Sequence, residues 1–197
     1  MTLARKIDDI EFYFVPNQQF IICATYPNYE KFLPFFEKKD IDLSMDTCTV
    51  NGVQFPIQND DWIEQRLDYT KWIESVFKKL DAPISKVYKS ENNITAWTVD
   101  YADGGWQAGH FHSTDRIHQQ NKRFITTVLF FDKIQPTTDN NWNGCLYTVL
   151  QNPEGYTYDH KFHPTPGKVI IMDDRVWHGT YPTQERRRVF VSDFEID

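Results

Sequence analysis

Apolar residues follow two different rhythms along this chain. Over 61–80, Tyr69, Trp72, Ile73, Val76, Phe77 and Leu80 recur at spacings of three and four. That period places them on one stripe of a helix. Asp60 and Asp61 stand where an N-cap helps, and Asp81, Ala82 and Pro83 end the pattern. A shorter pattern over 29–39 predicts a second helix, with Phe32, Leu33, Phe35 and Phe36 as its apolar side. From position 94 onward the pattern changes to short β-branched and aromatic blocks. Residues 94–101 read as a strand with Thr95, Trp97 and Val99 on one side, and 102–105 as a turn. Further strands are expected at 123–132, 145–150, 168–172 and 188–196.

Short strands separated by turns predict a mainly β fold with flanking helices, an α+β chain built on a double-stranded β-helix, or jelly-roll, core. The 197 residues suit one domain. Within it, 1–93 is expected to form a helical and strand support, and 94–197 the jelly-roll itself.

Composition narrows the function. A net charge of −7 argues against general affinity for nucleic acid, which needs clustered Lys and Arg. The one basic cluster is Arg186, Arg187 and Arg188. No stretch approaches the roughly 20 apolar residues of a membrane helix, and the N-terminus lacks the apolar core of a secretory signal. Three widely spaced cysteines, Cys23, Cys48 and Cys145, fit neither a disulfide framework nor a zinc knuckle. A reducing, cytoplasmic setting is the simplest expectation. Nothing in the pattern speaks to oligomeric state.

All six histidines lie between positions 110 and 178. His110 and His112 are spaced i, i+2, so on a strand both imidazoles point to one face. His178 lies far downstream, where a neighbouring strand can bring it to the same point. Two near ligands and one distant ligand on a β-scaffold is a plan used by non-haem iron, with open positions left on the ion. Zinc is the competing metal. His118, His160 and His163 are read as ordinary surface or hydrogen-bonded histidines.

The segment from Tyr101 through Gly104, Gly105 and Trp106 to His110 and His112 resembles the Y-x-x-G…H-x-D block of prolyl 4-hydroxylase-like oxygenases, which depend on Fe(II) and 2-oxoglutarate. Gly144-Cys145-Leu146-Tyr147 is similar to their G-G-x-L/T-x-F strand, and Pro166-Gly167-Lys168-Val169-Ile170-Ile171-Met172 to their P-x-P-G turn and strand. His178, Pro182 and Arg188 follow in the family's order, and Ser192 stands four residues after Arg188. The resemblance covers roughly 94–197 and leaves the N-terminal half without a motif. It departs at His112, where the family has Asp; some small bacterial and phage oxygenases resemble this chain in carrying H-x-H. Asp115 is the alternative carboxylate, although i+3 on a strand points to the opposite face.

The resemblance implies a site in which His110, His112 and His178 hold Fe(II). It implies that Arg188, with the Ser192 hydroxyl, binds the distal carboxylate of 2-oxoglutarate, and that Tyr101 lies near this cosubstrate. A one-residue slip would make Arg187 the binder. The implied reaction uses O2 to hydroxylate a small-molecule or peptide substrate while 2-oxoglutarate is decarboxylated to succinate. Trp97, Trp106, Trp142 and Trp177 are candidate pocket aromatics. Two rivals remain: a cupin-like three-histidine oxygenase that uses no 2-oxoglutarate, and a non-enzymatic jelly-roll binding module.

Overall fold

A computed structural model describes residues 2–14, 19–37, 49–89, 94–112, 122–151 and 157–197. Twelve strands form one curled sheet. In chain order they are β1 (Thr2–Ile7), β2 (Ile10–Phe14), β3 (Phe20–Thr25), β4 (Thr49–Gln58), β5 (Val87–Lys89), β6 (Ile94–His110), β7 (Arg123–Phe130), β8 (Leu146–Gln151), β9 (Thr157–Phe162), β10 (Lys168–Asp173), β11 (Trp177–Thr180) and β12 (Arg187–Ile196). Their order across the sheet is β1-β2-β3-β10-β7-β12-β6-β11-β8-β9, with β4 also on β6 and β5 also on β12. Every pairing is antiparallel. This is the predicted mainly β, jelly-roll class.

The long strand β6 makes the curl. Its first part pairs with β12 from Ala96 to Tyr101, and its last part pairs with β11 from Gln107 to His110. The expected turn at 102–105 is therefore a bend inside one strand. Gly105 sits where a Cβ would stand 2.7 Å from the carbonyl oxygens of both Ala102 and Asn51. Only glycine lets the two backbones pass so closely.

Helices pack on the outer face of the wide part of the sheet. Helix α1 (Ile63–Lys79) buries Tyr69, Ile73, Val76 and Phe77, the stripe read from the sequence. Its N-cap is Trp62, with no side-chain capping bond, so neither Asp60 nor Asp61 fills that role. The expected helix at 29–39 is a 3-10 helix over Tyr29–Phe36 with Pro34 inside it. Proline has no N–H and disfavours α geometry in the residue before it, so a regular α-helix cannot form there.

The N-terminal half belongs to the same sheet. It contributes five strands, and β3 pairs with β10 while β4 pairs with β6. The sheet thus crosses the expected boundary near residue 93. Phe20, Ile21, Ile22, Cys23 and Ala24 are all buried, since β3 is covered on both faces and lacks the alternation that marks a half-exposed strand. No helix among the described residues is long and apolar enough to cross a membrane.

Two apolar clusters result. The first lies between helices and sheet and includes Phe32, Trp62, Tyr69, Phe77, Phe190 and Phe194. The second lies inside the curl and includes Val99, Tyr101, Val128, Phe130, Val189 and Val191. Phe190 ties the first together, 4.6 Å between ring centres from Phe32 and 5.2 Å from Trp62. Phe190→Ala is expected to cost about 3–5 kcal/mol, measured by urea unfolding.

Candidate metal centre

The curl brings His178 directly opposite His110 on paired strands. His112 lies just past the end of β6, held by a backbone hydrogen bond from its N–H to the Asp174 carbonyl at 3.0 Å. The three side chains offer ligand atoms that all lie within 4.8 Å of one another. His178 is 4% exposed, and the other two are half-buried. Asp115 and His118 fall outside the described residues. His160 stacks with Tyr13 and Phe162, and His163 meets Cys145, both apart from this cluster.

Hydrogen bonds set the tautomers. His110 Nδ1 lies 2.9 Å from the Ala108 carbonyl, and His178 Nδ1 lies 2.8 Å from the Val176 carbonyl. A carbonyl only accepts, so both nitrogens carry the proton. His112 Nδ1 donates to Asp193 Oδ1 at 2.9 Å. The Nε2 atoms are then left as lone-pair donors. His110 Nε2 and His112 Nε2 stand only 3.2 Å apart. Two lone pairs at that distance repel unless a cation lies between them. The separation is close to the ~3 Å that two adjacent nitrogens keep on an ion with bonds of about 2.1 Å. Burial and neighbouring imidazoles push the His178 pKa well down, and burial lowers that of His110. The site therefore suits a divalent ion that accepts imidazole, as iron, zinc, nickel and copper do.

A small cavity of about 20 Å³ opens beside the histidines. Val128, Phe130, Leu146, Val189, Val191 and Trp97 wall it, while Tyr101, Gln107 and Thr180 add polar atoms. Thr180 lies two residues beyond His178, about 7 Å along the strand. Trp106, Trp142 and Trp177 are exposed and do not line it.

The arginine cluster resolves into three environments. Arg186 makes a two-pronged ion pair with Asp100, and Arg188 makes one with Asp132. Arg188 is thus held by Asp132 and is not among the residues that line the cavity. Ser192 shares its face: buried, it bonds Thr127 at 2.8 Å, and Thr127 also receives the Tyr69 hydroxyl of α1. It serves the helix–sheet joint and does not reach the histidines.

Arg187 points inward and is 0% exposed. Its guanidinium carbon lies 3.9 Å from the centre of the Tyr101 ring. Nη2 donates to Thr180 Oγ1 at 2.9 Å and Nη1 to the Gly144 carbonyl at 2.6 Å. Gly144 has a φ of +60°, a turn geometry that aims this carbonyl at the arginine. Arg187 Nε is buried without a partner. Each hydrogen-bond partner is neutral, and among the described residues no carboxylate pairs with the guanidinium. Burial lowers its pKa, yet a guanidinium stays charged. A buried cation without a counter-anion is costly, and a negative group bound beside it would offset that cost.

Thr180, Gln107, Thr126 and Asp193 were not singled out from the sequence. Asp193 had one available signal, since it lies six residues after Arg187 and therefore on the same strand face.

No protein-family model matches the chain, and no curated protein sequence does. Solved structures do match in fold. A prolyl 4-hydroxylase from Pseudomonas putida is 13% identical with a TM-score of 0.56, over 85% of each chain. HygX from Streptomyces hygroscopicus, solved with nickel, 2-oxoglutarate and hygromycin B, is 12% identical with a TM-score of 0.59, over 89% of this chain and 82% of that one. A prolyl hydroxylase from Trichoplax adhaerens, in complex with a hypoxia-inducible-factor peptide, is 13% identical with a TM-score of 0.52, over 85% and 76%. The chain shares the jelly-roll fold of these oxygenases.

The buried imidazoles have a consequence for pH. Their folded pKa values lie below the ordinary 6.5. The unfolded chain therefore binds protons that the folded one refuses, and stability declines as the pH falls below about 6.5. For metal-free protein, the unfolding temperature should drop between roughly pH 7 and roughly pH 5. His178→Gln should flatten that dependence.

Proposed function

We propose that this protein is a non-haem oxygenase that depends on Fe(II) and 2-oxoglutarate and hydroxylates a small-molecule or peptide substrate. The observation that carries the reading is Arg187: a buried guanidinium with no counter-anion among the described residues, in the same curl as three convergent imidazoles. The imidazoles line the cavity, and Arg187 is held behind two other residues that line it, Thr180 and Tyr101; a metal-chelating group and an anion receptor so placed suit a short dicarboxylate. The fold of HygX, solved with 2-oxoglutarate and nickel bound, supports the same assignment.

His110, His112 and His178 would hold the iron through Nε2, with their Nδ1 protons fixed as described. Arg187 would take the distal carboxylate of 2-oxoglutarate, joined by the Thr180 hydroxyl and by Tyr101, which stacks under the guanidinium and donates its hydroxyl to Gln107 at 3.0 Å. Charge-assisted hydrogen bonds in a desolvated pocket are strong, and the planar guanidinium fits a carboxylate edge. Val128, Val189, Val191 and Phe130 keep water away from the cosubstrate. When bound, the iron would couple oxidative decarboxylation of 2-oxoglutarate by O2 to insertion of oxygen into a substrate C–H bond. The buried thiols of Cys23 and Cys145 are unpaired, which suits a cytoplasmic setting.

The three-histidine set favours one rival, an oxygenase of cupin type that uses no 2-oxoglutarate. Anaerobic titration of Fe(II)-loaded protein with 2-oxoglutarate separates them through the visible charge-transfer band of the chelate. We expect the band in the wild type and in Arg188→Ala, and none in His178→Ala. Arg187→Met should weaken 2-oxoglutarate by about 100-fold, two charge-assisted hydrogen bonds being lost. Bound iron without any band in the wild type would sink the cosubstrate and favour the rival.

A further inference from the structure

Asp193 lies inside the curl beside the histidines. It is 4% exposed, and its Oδ1 receives the Thr126 hydroxyl at 2.8 Å and His112 Nδ1 at 2.9 Å. Thr126 Oγ1 also lies 3.1 Å from His112 Nδ1, so the three groups form one tight unit. The other two rings are held differently. His110 and His178 each rest on a neutral carbonyl two residues earlier in the chain. His112 alone rests on a carboxylate, brought from 81 residues away by the fold. It is also the ring that stands where the resembled oxygenases have Asp.

We propose that Asp193 supplies, through the His112 imidazole, the negative charge that a direct carboxylate ligand gives in two-histidine iron sites. The inference rests on the metal reading above. Three neutral imidazoles leave a divalent ion with its full charge in a cavity walled by valine and phenylalanine. A carboxylate one hydrogen bond out offsets part of that charge. It withdraws the Nδ1 proton toward itself and makes Nε2 a stronger donor. It also fixes the ring angle, with Thr126 holding the carboxylate in turn. Asp193 is thus a positioning residue that acts through His112.

The test measures Fe(II) affinity anaerobically against a chromophoric chelator. Asp193→Asn keeps shape and one acceptor oxygen but removes the charge. Metal binding should weaken by about 10- to 100-fold with near-UV circular dichroism unchanged. His112→Asp returns the carboxylate to the ion itself. In that background Asp193→Asn should cost less than about threefold, since the relay no longer exists; such a cycle isolates the coupling between the two sites. Co(II)-loaded wild type and Asp193→Asn provide a second readout, because their visible ligand-field bands should differ if the His112–metal bond changes. Equal losses in both backgrounds would mean Asp193 merely supports the fold. Unchanged affinity with unchanged Co(II) bands would also overturn the proposal while leaving the metal site intact. A wild type that takes up no Fe(II) would remove the metal reading itself, and this inference with it.

Discussion

The alternation of side chains along β12 organises this protein. The strand runs between β6 and β7, so both of its edges are hydrogen-bonded, and side chains on both of its faces are buried. Arg187, Val189, Val191 and Asp193 face the inside of the curl, where the arginine bonds Thr180, the valines wall the cavity and the aspartate holds His112. Arg188, Phe190, Ser192 and Phe194 face the other way, where they meet Asp132, the aromatic cluster, Thr127 and Tyr69. A register slip of one residue would exchange the two sets. It would turn Arg188 into the curl and push Phe190 into the cavity. The aromatic cluster under the helices therefore keeps the site in register, because Phe190 and Phe194 can be buried on one side only.

Polarity across the curl follows from the same geometry. Histidine nitrogens gather at one place in the curl, and a fixed positive charge, Arg187, lies behind Thr180 and Tyr101 of the same cavity wall. Low dielectric strengthens each interaction an anion would make there. The same environment makes an unpartnered guanidinium expensive. The cost is carried by Tyr101 beneath it, two neutral carbonyls and Thr180, none of which cancels its charge. Such partial satisfaction marks a binding group more clearly than full satisfaction would. Arg186 and Arg188, both locked to aspartates, show what structural arginines look like a residue away.

Much of this was legible in the residues because it depends on period. The i, i+2 histidines needed only a strand to share a face, and the stripe from Tyr69 to Phe77 needed only a helix. Choosing between Arg187 and Arg188 needed absolute register, which three consecutive arginines conceal. Asp132 and Asp100, the partners of Arg188 and Arg186, lie 56 and 86 residues away. The strand β3 was hidden because burial on both faces erases alternation. The bend in β6 was hidden because two glycines inside a strand look like a turn. Pro34 stands in plain view in the sequence, and its missing N–H is what leaves the first helix as a 3-10 helix.

The replacement of a carboxylate by His112 is the deepest departure from the pattern this chain resembles, and the fold meets it with long-range construction. A carboxylate ligand would need no partner on β12. An imidazole needs its Nδ1 proton accepted, its ring angle held and its missing charge offset. One group on β12, Asp193, stands where all three needs are met, and Thr126 on β7 steadies that group. The three strands β6, β7 and β12 therefore converge on a single ring. Cationic character at the ion also suits the cosubstrate proposed here, since a dianion binds more readily to a centre whose ligands have not already neutralised it. Tuning by a hydrogen-bonded carboxylate, instead of a bonded one, lets the site keep that attraction while the charge of the buried ion is still partly balanced.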